Sequence, residues 1–298
     1  MKNALLRLHA AVFLWGFTGV LGRAITLNSV LLVWYRLLIT VVTLWAVYGV
    51  LKKFKKLPLR SALYIGFIGT VLAMHWVCFY GSIKFANVTI ALTCLSTTAL
   101  LSSLLEPIIL KKPFDAVEIV LGLFAVAGIV IIYNTHLQFS AGIFIGLLAA
   151  FFTVLVSVLN KKMIDEYEPE QITLYQLTGG FAGLTLLLPL ALYLMPAETF
   201  FPTNTDWIWL VLLSWVCTIF TFFLYIRSLK KVSAFTMNLV LTLEPVYGIL
   251  LAFALYKENR DMSRWFYAGF ALISIAVVFH TWRLVKNHRS AMAEPVVT

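Results

Sequence analysis

The chain has 298 residues, of which 61% are hydrophobic and 12% charged, and its formal net charge is +10. A mean hydropathy of +0.93, against the roughly 25% charged residues of soluble domains, excludes a single water-facing domain: there is too much apolar surface for one core, so the expected outer solvent is lipid. The basic residues sit in short segments between apolar runs, so membrane topology accounts for them and a nucleic-acid partner is not expected.

In lipid every backbone N–H and C=O must be bonded internally, which leaves helices or closed barrels. The apolar runs are near-continuous and about 20 residues long, the length of a helix crossing a ~30 Å hydrocarbon core. The ~10-residue alternation of barrel strands is absent. The fold class is therefore all-α integral membrane, and the pattern predicts ten spans: Ala4–Thr26, Val30–Leu51, Ser61–Phe85, Val88–Leu110, Ala116–Tyr133, Ala141–Lys162, Glu170–Met195, Asp206–Leu229, Ser233–Tyr256 and Arg264–Val285. A very tight turn near Lys84–Asn87 joins the third and fourth. The first run has no clear small-residue cleavage site and reads as a retained helix. Cys78, Cys94 and Cys217 lie far apart inside apolar runs, a spacing that suggests neither a disulfide framework nor a metal site, and no cofactor is expected.

With the amino terminus placed in the cytoplasm, seventeen of the 23 Lys and Arg residues fall in inner segments and five in outer ones, with Arg36 inside a span. The positive-inside rule then predicts both termini cytoplasmic, against which only the last outer loop, Lys257–Arg264, argues.

The two halves resemble each other. Ser82-Ile83-Lys84 aligns with Ser228-Leu229-Lys230, Leu110-Lys111 with Tyr256-Lys257 and Ala125 with Ala271, all 146 residues apart. Tyr35-Arg36-Leu37 aligns with Tyr175-Gln176-Leu177 at 140, and Leu8-His9-Ala10-Ala11 with Leu147-Leu148-Ala149-Ala150 at 139. The expected division is a first five-helix repeat over 1–137, a second over 138–287 and a short cytoplasmic tail, 288–298. Five is odd, so the second copy must enter the membrane inverted, an architecture that recurs in secondary transporters with the substrate site between the halves.

Several stretches carry a family resemblance over essentially the whole chain: Phe13-Leu14-Trp15-Gly16, Trp34-Tyr35-Arg36, the run from Tyr225 through Arg227, Lys230 and Lys231 to Ala234, Leu243-Glu244-Pro245-Val246-Tyr247-Gly248, and Tyr256-Lys257-Glu258-Asn259. With these the chain resembles the drug/metabolite transporter superfamily, specifically its ten-span EamA-type permeases. The resemblance implies export or uptake of small metabolites such as amino acids, sugars or drugs, in a bacterial inner membrane, by a monomer or homodimer. One departure stands out. Pro245 would match Ala99, whereas the first half's Glu-Pro comes later, at Glu106-Pro107, so the halves are expected to kink at different depths.

An ionisable group inside a span costs roughly 2.5–3.5 kcal/mol on insertion scales and is a functional candidate by default. Glu244 lies near the middle of span nine, and Pro245 removes a helix hydrogen bond beside it and crowds the Leu241 carbonyl. It is a candidate for a proton, a cation or a substrate amine; the alternative is a protonated structural carboxyl. Arg36 lies roughly 10 Å into span two at ~1.5 Å per residue, where it either clamps a substrate carboxylate or snorkels to the headgroups, the second being favoured for Arg36 taken alone. Its repeat partner is Gln176. His75, with Trp76 and Tyr80 close by, is either a proton relay or packing glue between helices, the second being favoured. Glu106 is expected to pair with Lys111 or Lys112. Trp15, Thr18 and Gly22 form a stripe on span one, Asn238 and Thr242 on span nine, suited to lining a cavity or to close packing. Gly142-x-x-x-Gly146 and Gly179-x-x-x-Gly183 suit packing.

The expected function is a secondary transporter working by alternating access, with substrate or coupling residues Glu244, Arg36, His75, Trp15, Gln176, Asn238 and Tyr80. No ATP-binding loop occurs. The alternative is an intramembrane lipid-modifying enzyme or lipid-flipping subunit. Neither H-E-x-x-H nor G-x-S-x-G is present to support an enzyme.

Overall fold

The computed structural model describes residues 2–52, 55–111, 113, 115–164, 166–229 and 240–293. Among these all regular structure is helical. The first half comprises α1 (Lys2–Ala24), α2 (Ser29–Val50), α3 (Leu59–Phe85), α4 (Val88–Ser96), α5 (Thr98–Leu110) and α6 (Ala116–Thr135). The second comprises α7 (Ser140–Ile164), α8 (Pro169–Leu194), α9 (Asn204–Ser214), a π-wound stretch Trp215–Phe220, α10 (Thr221–Leu229), α11 (Glu244–Tyr256) and α12 (Arg264–Ala293).

Helix starts follow from short polar side chains that accept otherwise unpaired backbone N–H groups. Asn28 accepts from the Leu31 N–H at 2.9 Å, Asn87 from that of Ile90 at 2.8 Å and Asp115 from that of Val117 at 2.9 Å. Asn87 makes the predicted tight turn between spans three and four possible, because α4 starts two residues after α3 ends. Asp115 is also held below the usual carboxylate range, chiefly by its hydrogen bond from Arg283.

Among the described residues eight helices are long and apolar enough to cross a membrane, counting α4 and α5 as one, and two shorter apolar helices accompany them, Asn204–Phe220 and Glu244–Tyr256. Predicted span eight is present as α9, the π stretch and α10. Predicted span nine begins among residues outside the described set and is seen from Val240 onward. Large apolar side chains such as Leu186, Tyr193 and Val50 stand more than four-fifths exposed, which a lipid surround requires. This is a multi-pass membrane protein.

Three helix pairs in corresponding places of the two halves lie against each other, each pair antiparallel. At one end of the α6/α12 pair Arg283 reaches Asp115 and Glu118, and at the other His136 accepts from the Ser263 N–H at 3.2 Å. In α2/α8, Trp34 Nε1 donates to Thr185 and Trp45 Nε1 to Thr178, both at 3.0 Å. In α4/α11, Leu92 packs on Gly248 while Val88 meets Glu258. The end carrying the start of α1 is called here the amino-terminal end, the other the far end.

Where α6 crosses α12, Gly128 faces the Gly269 carbonyl and Gly269 faces the Gly128 carbonyl. A methyl on either would collide with backbone, which cannot swing aside. Gly269→Ala is therefore expected to cost about 1–3 kcal/mol by overpacking and to lower the thermal midpoint in detergent. Gly49→Ala, whose methyl would meet nothing within 4 Å, should hold or raise it, since alanine is the better helix former by about 1 kcal/mol. Equal midpoints for the two variants would contradict the crossing.

Candidate functional site

Arg36 projects from the middle of α2 into the bundle and is only 3% exposed. Its Nε and Nη2 donate to Thr218 Oγ1 at 3.1 and 2.9 Å, and its Nη1 donates to the Tyr80 hydroxyl at 2.9 Å. Its Cζ stands 3.9 Å over the Trp76 ring, so one guanidinium face rests on an aromatic π cloud. Even its backbone carbonyl is held, accepting from Thr40 at 2.7 Å and Ser214 at 3.2 Å. Snorkelling does not describe this side chain.

Two local features of the sequence make the seat. The first is the π-wound turn. Thr218 donates its hydroxyl to the Leu213 carbonyl, five residues back, at 2.9 Å, and Thr221 does the same to Val216 at 2.7 Å. A helix widened in this way is frequent at functional sites, and here it presents Thr218 Oγ1 to two guanidinium nitrogens. The second is Gly22 of α1, which has no side chain where the fully buried Tyr80 ring lies. Thr18, one turn earlier on α1, adjoins the Tyr80 hydroxyl and donates its own to the Trp15 carbonyl at 2.7 Å.

An arginine offers five N–H donors in a rigid fork. The three bonds above leave two free, and among the described residues Arg36 forms no ion pair. Glu244 is the carboxylate within its electrostatic reach. It is the first residue of α11, partly exposed, and its backbone packs against Gly16 of α1. A buried cation with spare donors, set near but not on a carboxylate, has room for a second anion.

Both halves break their fourth span at the same register. The chain between α4 and α5 turns at Thr97 (φ −73°, ψ −8°), and α11 starts after Leu243 (φ −84°, ψ −11°), 146 positions later. The expectation of different kink depths is corrected. Pro107 sits inside α5 and does not make the break. Hydroxyls do: Ser96, Thr97 and Thr98 each donate to the carbonyl three residues back at 2.6 Å, competing with the helical ladder. In the second half Pro245 has the same effect by lacking an N–H.

The other predicted residues fall in different surroundings. Trp15 is half-buried, its ring 5.3 Å from that of Tyr225, on the amino-terminal side of Thr18. His75 faces α7, its Nδ1 2.9 Å from the Ala149 carbonyl and 2.8 Å from the Thr153 hydroxyl. This bonds α3 to α7, with the ring in electrostatic reach of Arg36. Gln176 is buried on α8, where its carbonyl meets Gly69 of α3. Asn238 lies outside the described residues, as does the Glu106 side chain. The structure thus unites Arg36, Tyr80, Trp76 and Thr18 with Glu244 nearby. Thr218 was not singled out from sequence, because a lone threonine in an apolar run looks like any packing threonine. The available signal was indirect: an arginine inside a span needs acceptors on the facing helices.

Tyr48, Glu170, Thr173, Leu177 and Thr218 line a small surface groove between α2, α8 and the π stretch. The glycine pairs behave as packing: Gly142 lies against Ser82 and Ala86, and Gly179 against Gly66.

Comparison with known proteins fits this arrangement. The profile of the EamA-like transporter family matches the chain twice, over residues 2–134 and 140–280. Fifteen chains of solved structures match. One of these, a crystal structure described only as that of a protein, shares 16% identity, covering 94% of this chain and 96% of that one with a TM-score of 0.59; at that identity the likeness shows the fold alone. No curated protein matches the sequence.

Proposed function

Because the chain belongs to the EamA-like transporter family, we propose that it is a secondary transporter of a small metabolite carrying a carboxylate, such as an amino acid or an acidic drug-like compound, and that it works by alternating access. The observation that carries this reading is Arg36: a buried guanidinium stacked on Trp76, with two free donors, in electrostatic reach of Glu244 at the start of α11. Interrupted segments in corresponding places of two halves are the sequence-level mark of a transporter binding site, and Thr97 and Leu243 are such a pair.

The full reading has ten spans in two inverted repeats. Three observations support inversion: the doubled family match, the common 146-residue register of the breaks and the antiparallel run of α2/α8, α4/α11 and α6/α12. We further read the protein as a bacterial inner-membrane permease, monomer or homodimer, with its amino-terminal end cytoplasmic. The enzyme alternative has no observation in its favour here. For topology, a cysteine at Thr203 should react with an impermeant thiol reagent applied from outside and one at Ala293 should not; the opposite pattern would reverse the orientation. For function, purified protein in liposomes should take up carboxylate-bearing metabolites from a mixed pool. A screen returning only solutes without an anionic group would reject the Arg36 site.

A further inference from the structure

At the far end, two acids of the second half reach into the first. Asp206, in the first turn of α9, is 1% exposed. It accepts from the Thr26 N–H at 2.7 Å and the Thr26 hydroxyl at 2.6 Å, and from the Thr203 N–H at 3.0 Å and hydroxyl at 2.9 Å. Glu258, on the short turn Glu258–Arg260, is fully buried. It accepts from the Val88 N–H at 3.1 Å, the Thr89 N–H at 2.7 Å and the Thr89 hydroxyl at 2.5 Å, and it pairs with Arg23. Val88 and Thr89 are the opening residues of α4, whose amides have no partner within the helix. Arg23 in turn lies 4.4 Å over the Tyr256 ring, and Tyr256 donates its hydroxyl to the Val20 carbonyl at 2.9 Å.

These bonds share a direction. Apart from Thr203, every donor is a first-half residue at or beside a helix end, and both acceptors are second-half carboxylates. Bonds from N–H and O–H groups to a carboxylate are short and about twice as strong as neutral ones. Breaking them without admitting water would strand a buried charge, so the contact is made or opened as a unit. At the amino-terminal end the halves also meet through charged side chains, in the exposed pair Lys55–Glu168 at 2.9 Å and in the set where His280 and Arg283 of the second half reach Glu118 and Asp115 of the first. In that set the acceptors are first-half carboxylates, and among the described residues they take up no opening helix amides of the other half.

We propose that Glu258 and Asp206 form the far-end gate of the transport path. Closed as seen here, they hold residues 23–26 and 88–89 of the first half against the second, and opening toward the far side requires both sets of bonds to part. The inference rests on the alternating-access reading in supposing that the far end opens. Its test reads that opening directly and uses no substrate, so a failed uptake assay and a failed gate are distinguishable.

The test places one cysteine at Thr18, one turn deeper than Gly22 and beside the Tyr80 hydroxyl, in full-length protein with Cys78, Cys94 and Cys217 changed to Ala. The rate of labelling by a membrane-impermeant thiol reagent is read from each side of reconstituted vesicles. With the gate intact, labelling from the far side should be slow. Glu258→Gln keeps the shape but loses the charge and one acceptor, and should raise the far-side rate about tenfold while lowering the rate from the other side. Arg23→Gln and Thr26→Val each remove one partner and should raise it less, by about threefold. Folding is read by size exclusion, and if Glu258→Gln does not fold, the two milder variants decide. Unchanged far-side labelling in the folded variants overturns the gate.

Discussion

Arg36→Met is expected to abolish concentrative uptake of the transported carboxylate while leaving the protein folded. Each hydrogen bond to a charged group contributes about 1.5–3 kcal/mol, so losing a two-pronged contact should weaken apparent affinity by about a hundredfold or more. The groups left behind keep partners, since Thr218 donates to the Leu213 carbonyl and Tyr80 adjoins Thr18. Methionine also fills much of the space over Trp76, so stability should fall little. Arg36→Lys retains the charge but not the planar fork and should recover only part of the affinity. The measurement is radiolabelled uptake into liposomes, with the thermal midpoint as the folding control. Wild-type affinity in a folded Arg36→Met protein would remove Arg36 from the binding site.

The second large effect is expected at Glu244. A carboxyl inside the membrane is costly when charged, yet this one sits at a helix start with Arg36 in electrostatic reach. If transport is proton-coupled, a substrate carboxylate that engages Arg36 should withdraw part of that support, so substrate binding and proton uptake at Glu244 are expected to be coupled through one guanidinium. Glu244→Gln preserves the shape and hydrogen bonding of the neutral acid and cannot release a proton. The variant should fold, bind and exchange labelled substrate, because exchange needs no net proton movement. Accumulation driven by a pH gradient should be lost. A wild-type rate of gradient-driven uptake would refute the assignment, whereas loss of folding would show a carboxyl that only ties helices together.

Much of this molecule was legible from its residues. The apolar runs declare their own length, so eight spans could be placed to within a few residues among the described residues, and Asn87 made the tight turn readable. Arg36, Tyr80 and Glu244 drew attention because a polar group in lipid needs a reason. What escaped was whatever depended on neighbours distant in sequence. Ser96, Thr97 and Thr98 were not singled out, and their effect shows only when three hydroxyls are seen bonded back to carbonyls. Nothing in the composition of Trp215–Phe220 marks a π winding, which shows only in the bonds from Thr218 and Thr221 to carbonyls five residues back. Glu258 was visible in an acidic loop, but its partners, Thr89 and Arg23, lie more than 160 positions away. His75 illustrates the converse: the bland expectation of a bond across helices matches where its ring lies, against Ala149 and Thr153 of α7.

The wide turn at Trp215–Phe220 has a counterpart position in α3, and α3 winds through it as an unbroken α-helix from Leu59 to Phe85. Were the halves interchangeable, a molecule open to one face and its inverse would be isoenergetic, and the protein would idle equally in both. One copy alone carries the distortion that seats Arg36, so swapping roles gives a different molecule. On the alternating-access reading the balance should be tilted before any solute or gradient acts, and a tilt of about 1.4 kcal/mol already amounts to tenfold. Affinities measured from the two faces should accordingly be unequal, with the wide turn in one copy as the source of the bias.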